Sequence, residues 1–524
     1  MRKNKEKGAM KEKAIIGMVI TALIIVAMFA ALPTKGQFVG QIKIGIIGPV
    51  GLPHWSPAGM KEASEMAAEE INAAGGVHLA DGDYEIVLAF GDEKAYPTPN
   101  PTDAALEMER LITIEGCEFI MGGFRSEVTG AMIEVAMDYE TPFFINGAST
   151  DEFLTETIAV DYERYKYLFR VNPINSTMLF KTIAGAAQFL LAAKLLPLYG
   201  HDLGGPNPQV KVAVVMEDLK WTETMYFYLT NPAVYPAVLG PYANVTYAGR
   251  IPDGTTDCSP WLTDVINSEA RLLIHIFSGV TGVPFIIQWS AMNVQALPLG
   301  INVMAQLQTH WDTTGGACEY EGMLSTLGTR TPVIPGVTDV FWDNFLAKTG
   351  GAWPIYTAYG AYNGMNLLVE ALEATGTKDK DTLLAHFEDP AYESSATITS
   401  PRTKFTSIHD VFCNEVGPYW TEGYARAQVV QWLASRMETV SPADQIYSKK
   451  WAIPPWMYSL ITDLNYDGKV DIKDIATAAK AFGTEPGKAR WEKEADVNFD
   501  GKIDIRDIAS IAKDFGKSVT LPLP

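Results

Sequence analysis

Cysteine is scarce in this chain. Its 524 residues hold four (Cys117, Cys258, Cys318 and Cys413), far apart and never as CxxC. That pattern excludes a cysteine zinc site and a dense disulfide scaffold. One or two disulfides remain open for an exported chain, with Cys258–Cys318 the expected pair. Histidine is nearly as sparse. Seven are scattered, with no HExxH, and GxSxG, SxxK and a P-loop are also absent. The enzymes those motifs mark are therefore excluded, and the expectation is a non-enzyme. Positive charge is short as well: 41 Lys and Arg face 62 Asp and Glu, for a net −21. A nucleic-acid binder needs a basic face, so nucleic acid is excluded as a partner.

Apolar residues are plentiful, at 47%, which is enough for large cores in more than one domain. Residues 2–13 carry Arg2, Lys3, Lys5, Lys7, Lys11 and Lys13. Uncharged "AIIGMVITALIIVAMFAALP" follows from Ala14 to Pro33. Nineteen apolar residues before the proline exceed an ordinary signal core and nearly match a bilayer. Residues 1–37 therefore read as a long signal peptide or a retained membrane anchor, with the basic flank in the cytoplasm. No cysteine follows to carry a lipid. Sequons at Asn175 and Asn244 fit an extracytoplasmic chain.

From residue 40 to 456 the pattern alternates strand and helix. "IKIGIIGPV" is a continuous apolar run of the buried-strand kind. In the next segment Ser56 can cap a helix, and Pro57 suits its first turn. Met60, Ala63, Ala67 and Ile71 share one face, and Gly75-Gly76 stops it. "YEIVLAFGD", "CEFIMGG" and "TPFFING" continue the series. A second series runs through "VKVAVVMED", "RLLIHIF" and "LGINVMA". Repeated βαβ units with buried strands predict an α/β fold of two doubly wound lobes. Ligands in such sheets sit beyond the carboxyl ends of the strands. Polar, small and aromatic residues follow the strands there, in "GPVGLPHW", "GGFRSEVT", "INGAST" and "MEDLKWTET". Ser126 and Thr150 open helices whose spare N–H groups suit an anion. Trp55 and Trp221 could cover an apolar part of a ligand.

The tail says one thing twice. "DLNYDGKVDIKD" starts at Asp463, and "DVNFDGKIDIRD" starts 33 residues later at Asp496. Asp463, Asn465, Asp467, Lys469 (through its carbonyl), Asp471 and Asp474 have the spacing of an EF-hand-type calcium loop. Asp496, Asn498, Asp500, Lys502, Asp504 and Asp507 repeat it. The expected cofactor is therefore Ca²⁺ at two sites. Position 12 is Asp, not Glu, and a short apolar helix follows each loop.

With that last departure, residues 459–517 resemble a type I dockerin, a small all-α calcium-binding domain. The resemblance implies docking to a cohesin-bearing partner. Loop positions 10 and 11, commonly small and hydroxylic in dockerins, are here Ile472-Lys473 and Ile505-Arg506.

The middle of the chain, about 41–456, resembles the leucine/isoleucine/valine-binding component of amino-acid ABC importers. The resemblance rests on an ordered string: "EEINAAGGV", "GCEFIMGGFRSE", "TPFFINGAST", "YLFRVNP", "VAVVMEDLKW", "EGMLST", "YTAYGAYNGMNLLVEAL" and "VVQWLA". It implies a type I periplasmic-binding fold, two lobes joined by a three-strand hinge near residues 170, 325 and 408. Lobe 1 would hold about 41–170 and 325–408, and lobe 2 about 171–324 and 409–456. The implied ligand set is Trp55, Ser126, Ala148, Ser149, Thr150 and Trp221, with Ser126 on a carboxylate, the Ala148 carbonyl on an ammonium and the Thr150 hydroxyl on both. The acid that the second lobe would aim at the ammonium has no clean counterpart: "AQLQTHWD" offers Gln306, Gln308 and Asp312. The implied role is capture of a small carboxylated solute, an amino acid first, for a membrane permease. The alternative is a ligand-sensing or scaffold protein of the cell surface, assembled through the dockerin-like tail.

Overall fold

The computed structural model describes residues 38–517 except 50–58, 96–98, 197–208, 326–333, 413–423, 425–427, 442–450, 458–461, 466–468, 493–494 and 499. The N-terminal apolar segment, Ser56, Pro57, Trp55, Cys413 and Asp467 lie outside the described residues.

Strand β1 (Gly40–Gly48) lies at the centre of a six-stranded sheet. The order is β2 (Val77–Leu79), β3 (Gly82–Asp92), β1, β4 (Phe119–Gly122), β5 (Phe143–Ile145), β6 (Leu168–Arg170). All pairings are parallel except β2 with β3. Ile42, Ile44, Ile46 and Ile47 on β1 are fully buried. That is the mark of a parallel strand covered on both faces. The covering helices are α1 (Met60–Ala73), α2 (Pro101–Thr113) and α3 (Ser126–Asp138). Helix α1 is described from Met60, after Gly59 in left-handed backbone (φ 80), and it ends before Gly75 and Gly76 at positive φ. A side chain on Gly76 would collide with the Tyr84 carbonyl, so the stop is built into the sheet contact. Asn100 caps α2 by accepting the Asp103 N–H, with Pro101 in the first turn.

After β6 the chain leaves this sheet. Helix α4 (Ser176–Leu190) continues through a π turn (Leu191–Leu195). Among the described residues, this is the one helix long and apolar enough to cross a membrane. It is largely buried, packed against the second sheet and against α5 (Glu223–Thr230). That sheet has seven strands: β13 (Arg436–Ser441), β12 (Gln428–Leu433), β11 (Gly322–Ser325), β10 (Leu297–Asn302), β9 (Leu272–Phe277), β7 (Val210–Glu217), β8 (Ala243–Ile251). Strands β7 to β11 are parallel, and β12 and β13 form an antiparallel edge hairpin. Helices α6 (Ser259–Asn267) and α7 (Gly282–Ala291) cover it.

Between β11 and β12 the chain returns to the first sheet. Helices α8 (Thr338–Thr349) and α9 (Tyr356–Thr375) pack along α1, and α10 (Lys380–Phe387) follows. The segment 409–410 then runs beside β6, where the Arg170 N–H donates to the His409 carbonyl at 3.0 Å. The result is a mixed α/β fold with two sheets, the type I periplasmic-binding fold. The junction is pinned by charge. Fully buried Arg170 donates to Asp410 at 2.9 Å, and Asn175 reaches the same oxygen at 3.0 Å. Asn175 also caps α4 by accepting the Met178 N–H.

Cys117, Cys258 and Cys318 are buried free thiols. The expected Cys258–Cys318 disulfide is therefore corrected: both residues lie in the apolar core of the second lobe without bonding. Burial pushes both thiols up to about 12, so they are inert at neutral pH.

The C-terminal repeat folds on its own small core of Leu464, Val470, Ala478, Ala481, Ala495, Val497, Ile503 and Ile511. Helices α11 (Ile472–Ala481) and α12 (Ile505–Lys513) begin with identical capping boxes, Asp471 with Asp474 and Asp504 with Asp507.

Candidate functional site: an enclosed cleft between two lobes

The site begins where strands end. Strand β4 closes on Gly122 at φ 137, and a side chain there would sit 1.7 Å from the Ile47 carbonyl oxygen. Only glycine lets this loop lie flat on β1. Beneath it, buried Glu93 from the end of β3 accepts the Phe124 N–H at 2.6 Å and the Arg125 N–H at 3.3 Å. Burial pushes the Glu93 acid up to about 8, against the pull of those N–H bonds and the Arg125 charge. The loop then turns into α3, with Ser126 and Glu127 in its first turn. After β5, the loop 146–150 lies alongside. The Thr150 N–H donates to Ser126 Oγ at 3.4 Å, and the Thr150 carbonyl accepts from Arg170. Two segments 24 residues apart are thus locked together at a helix N-terminus.

Lobe 2 repeats the device. Buried Glu217 at the end of β7 accepts the Ser278 N–H (2.6 Å), the Ser278 hydroxyl (2.9 Å) and the Gly279 N–H (2.9 Å). Burial pushes its acid up to about 7, helped by the nearby Asp253 charge and opposed by the Ser278 and Gly279 bonds. A single helical turn after β7 (Lys220–Thr222) presents Trp221, 7% exposed. Its carbonyl accepts the Ser176 hydroxyl at 2.7 Å, and its indole N–H has no acceptor among the described residues.

Between these ends lies a cavity of about 480 Å³, mouth included. The first lobe contributes Phe124, Arg125, Ser126, Glu127, Ser149 and Tyr356. The second contributes Leu179, Trp221, Ser278, Ile301, Val303 and Gln306. Three contacts close the lobes over it. Arg125 donates to Asp253 at 2.8 Å, Lys220 pairs with Glu152 at 2.6 Å, and the Tyr356 N–H points at Gln306 Oε1 at 3.4 Å. Chemically, this is an anion-ready helix end facing an indole and the aliphatic side chains of Leu179, Ile301 and Val303.

Ser126, Ser149 and Trp221 line the cavity. Ala148 and Thr150 are buried just behind the wall, and Trp55 lies outside the described residues. Sequence reading missed Glu93, Glu217, Ser278 and Tyr356. Ser278 follows an apolar strand as the other loop residues do, so that signal was available. The two glutamates carried none, because their partners come from other loops.

In the tail, Asp474 Oδ1 accepts the Leu464 and Asn465 N–H groups (2.8 and 3.2 Å), and Oδ2 accepts Asp471 (2.7 Å). Asp507 does the same with Asn498 and Asp504 (3.3 and 2.8 Å). Among the described residues no three His, Cys, Asp or Glu side chains converge as metal ligands. Asp463, Asn465, Lys469, Asp500 and Lys502 all sit in the two loops, with Asp467 outside the described residues.

Two α/β lobes that enclose a cavity at the carboxyl ends of both sheets define a solute-binding protein. The chain belongs to the periplasmic binding protein family, which matches residues 41–411, and residues 461–515 match the dockerin type I domain. The family is a class of extracytoplasmic binding proteins rather than catalysts. Leu/Ile/Val-binding protein homolog 7 of Brucella melitensis is 25% identical over 369 residues, 69% of this chain and 82% of that one. Homolog 8 of Brucella abortus is 23% identical over 325 residues, 61% and 73%. Among solved structures, the branched-chain amino acid transporter substrate-binding protein of Streptococcus pneumoniae, in complex with isoleucine, has a TM-score of 0.58. It is 17% identical, covering 77% of this chain and 100% of that one. An ABC transporter solute-binding protein of R. palustris, in complex with benzoate, has a TM-score of 0.56. It is 15% identical, covering 79% and 99%. These likenesses show the fold.

Proposed function

We propose that the chain is the extracytoplasmic solute-binding component of an ABC importer, capturing a small carboxylated solute, an amino acid foremost, without catalysis. The observation that carries this reading is Ser126, held at the N-terminus of α3 beside Thr150 and facing Trp221 across a closed cavity. A helix end with spare N–H groups favours a carboxylate. The indole and the aliphatic wall favour an apolar remainder. Isoleucine and benzoate, bound by the two solved neighbours named above, share that carboxylate. The lobes part and close around the junction at Arg170 and Asp410, and a membrane permease receives the solute. A thermal-shift screen of the full chain against amino acids, simple carboxylates and their amides tests the reading. Carboxylates should raise the melting temperature and Ser126→Ala should abolish the rise. No rise with any carboxylate would overturn it.

The tail is read as a calcium-binding dockerin module that holds the protein at the cell surface through a cohesin-type partner, with residues 1–37 as leader or anchor. Asp496 supports calcium. Burial and the charges of Asp507 and Asp500 push its acid above the usual range, against the Gly501 and Asp500 N–H bonds, because carboxylates gather in this loop as calcium ligation requires. Ile472 and Ile505, each 65% exposed, offer equivalent apolar contacts to a partner. Adding EDTA should unfold the tail and leave the lobes folded, as two separate transitions in calorimetry. A tail transition unmoved by EDTA would remove calcium from the account.

A further inference from the structure

The cleft leaves one charge unsettled. Glu127, directly after Ser126 in the first turn of α3, is the one carboxylate among the described residues lining the cavity. Both of its oxygens are shielded from solvent, and neither accepts a hydrogen bond from the described residues. Its nearest cation is Arg125, whose Nε lies 3.5 Å away, while the same guanidinium donates to Asp253 at 2.8 Å. A carboxylate taken from water is strongly destabilised unless cations and hydrogen-bond donors satisfy it. That ion pair supplies charge but no hydrogen bond, so the Glu127 oxygens still lack a donor among the described residues.

The facing wall supplies no alternative acid. Ser278 and Gln306 are the polar lining residues of lobe 2, and Ile301 and Val303 fill the space between them. Asp312, the other acid of that region, does not line the cavity. In an α-amino acid the carboxylate and ammonium hang on one carbon, so their recognition points must be adjacent. Ser126 and Glu127 are consecutive residues at one helix end, so helix N–H groups and a carboxylate without a hydrogen-bond donor meet at the cavity.

We infer that Glu127, from lobe 1, is the counter-charge for the solute's ammonium and selects α-amino acids over acids lacking the amine. This rests on the reading that the cleft takes a carboxylated solute. Glu127 thereby does from the anchoring lobe what no residue of the covering lobe is placed to do. The ammonium supplies the donors that Glu127 lacks, and the Arg125–Asp253 pair keeps the lobes closed without competing for it.

The test uses matched pairs on the full chain: leucine with 4-methylpentanoate, and phenylalanine with 3-phenylpropanoate, titrated calorimetrically. The wild type should prefer the amino acid by about tenfold to a hundredfold, the scale of a hydrogen bond to a charged group. Glu127→Gln should erase that preference while binding the amine-free acid as before or more tightly. Equal amino-acid binding by wild type and Glu127→Gln, or a wild-type preference for the amine-free acid, would overturn the inference and leave carboxylate capture standing. If no carboxylate binds the wild type at all, the reading of the cleft fails and the inference falls with it. Should Glu127→Gln not fold, Glu127→Asp decides. It should weaken the amino acid more than its amine-free partner, and equal losses would overturn the assignment.

Discussion

The two lobes solve one problem alike and another differently. Each uses a buried glutamate at a strand end, Glu93 or Glu217, to hold the loop after another strand of its sheet by its N–H groups. Beyond that they diverge. Lobe 1 brings the helix N-terminus, Ser126, Arg125 and Glu127 to the cavity. Lobe 2 brings an indole, three aliphatic side chains and two neutral polar groups. One lobe anchors by charge, and the other covers. On the proposed reading, solute would bind the open state through lobe 1 and gain its apolar burial on closing, so affinity would depend on how easily closure is reached.

The strongest way to break the comparison is to loosen the anchor from below. Arg170 holds the Thr150 carbonyl and pairs with Asp410, both deeply buried. Asp410→Ala would leave the guanidinium unpaired and should cost about 3–5 kcal/mol in denaturant unfolding. The exposed Lys220–Glu152 pair across the lobes should cost about 0–1 kcal/mol.

The shared device is sharpened by pH. The Glu93 and Glu217 acids lie above their unfolded value of 4.5, at about 8 and about 7. Across that window the folded state holds protons the unfolded chain has lost, so stability should fall as pH rises from about 5 to 8. Glu93→Gln and Glu217→Gln should each flatten that slope. Buried Glu321 has the opposite sign. Burial alone would raise it, but His310 (2.8 Å) and His275 (3.2 Å) outweigh that and hold it below the usual range. Its contribution is present above 4.5 and lost as pH falls toward acid. Melting temperature against pH should therefore peak near pH 5 in the wild type, with the alkaline fall reduced in either glutamine variant.

Much of the anchor was legible in the chain. Apolar runs marked the central strands, "GGFRSEVT" and "INGAST" marked the polar segments beyond them, and Ser126 stood at a helix start. What was hidden depends on distance. Arg125 meets Asp253 128 residues away, and Glu93 meets a loop 31 residues on. No local pattern encodes either. Tyr356 reaches the cavity only because α9 folds back onto α1. The supposed Cys258–Cys318 bridge failed for the same reason: sequence separation says nothing about whether two buried sulfurs are aimed at each other. The missing acid of lobe 2 was sought where a resemblance put it, while Glu127 stood in the quoted stretch "GGFRSEVT".

The most direct test of the division of labour is calorimetric titration of one acid and its amide, leucine and leucinamide, into wild type, Ser126→Ala and Trp221→Ala. The account predicts that Ser126→Ala removes the preference for the acid, while Trp221→Ala weakens both by a similar factor and keeps the preference. An acid preference intact in Ser126→Ala, or lost in Trp221→Ala, would contradict it.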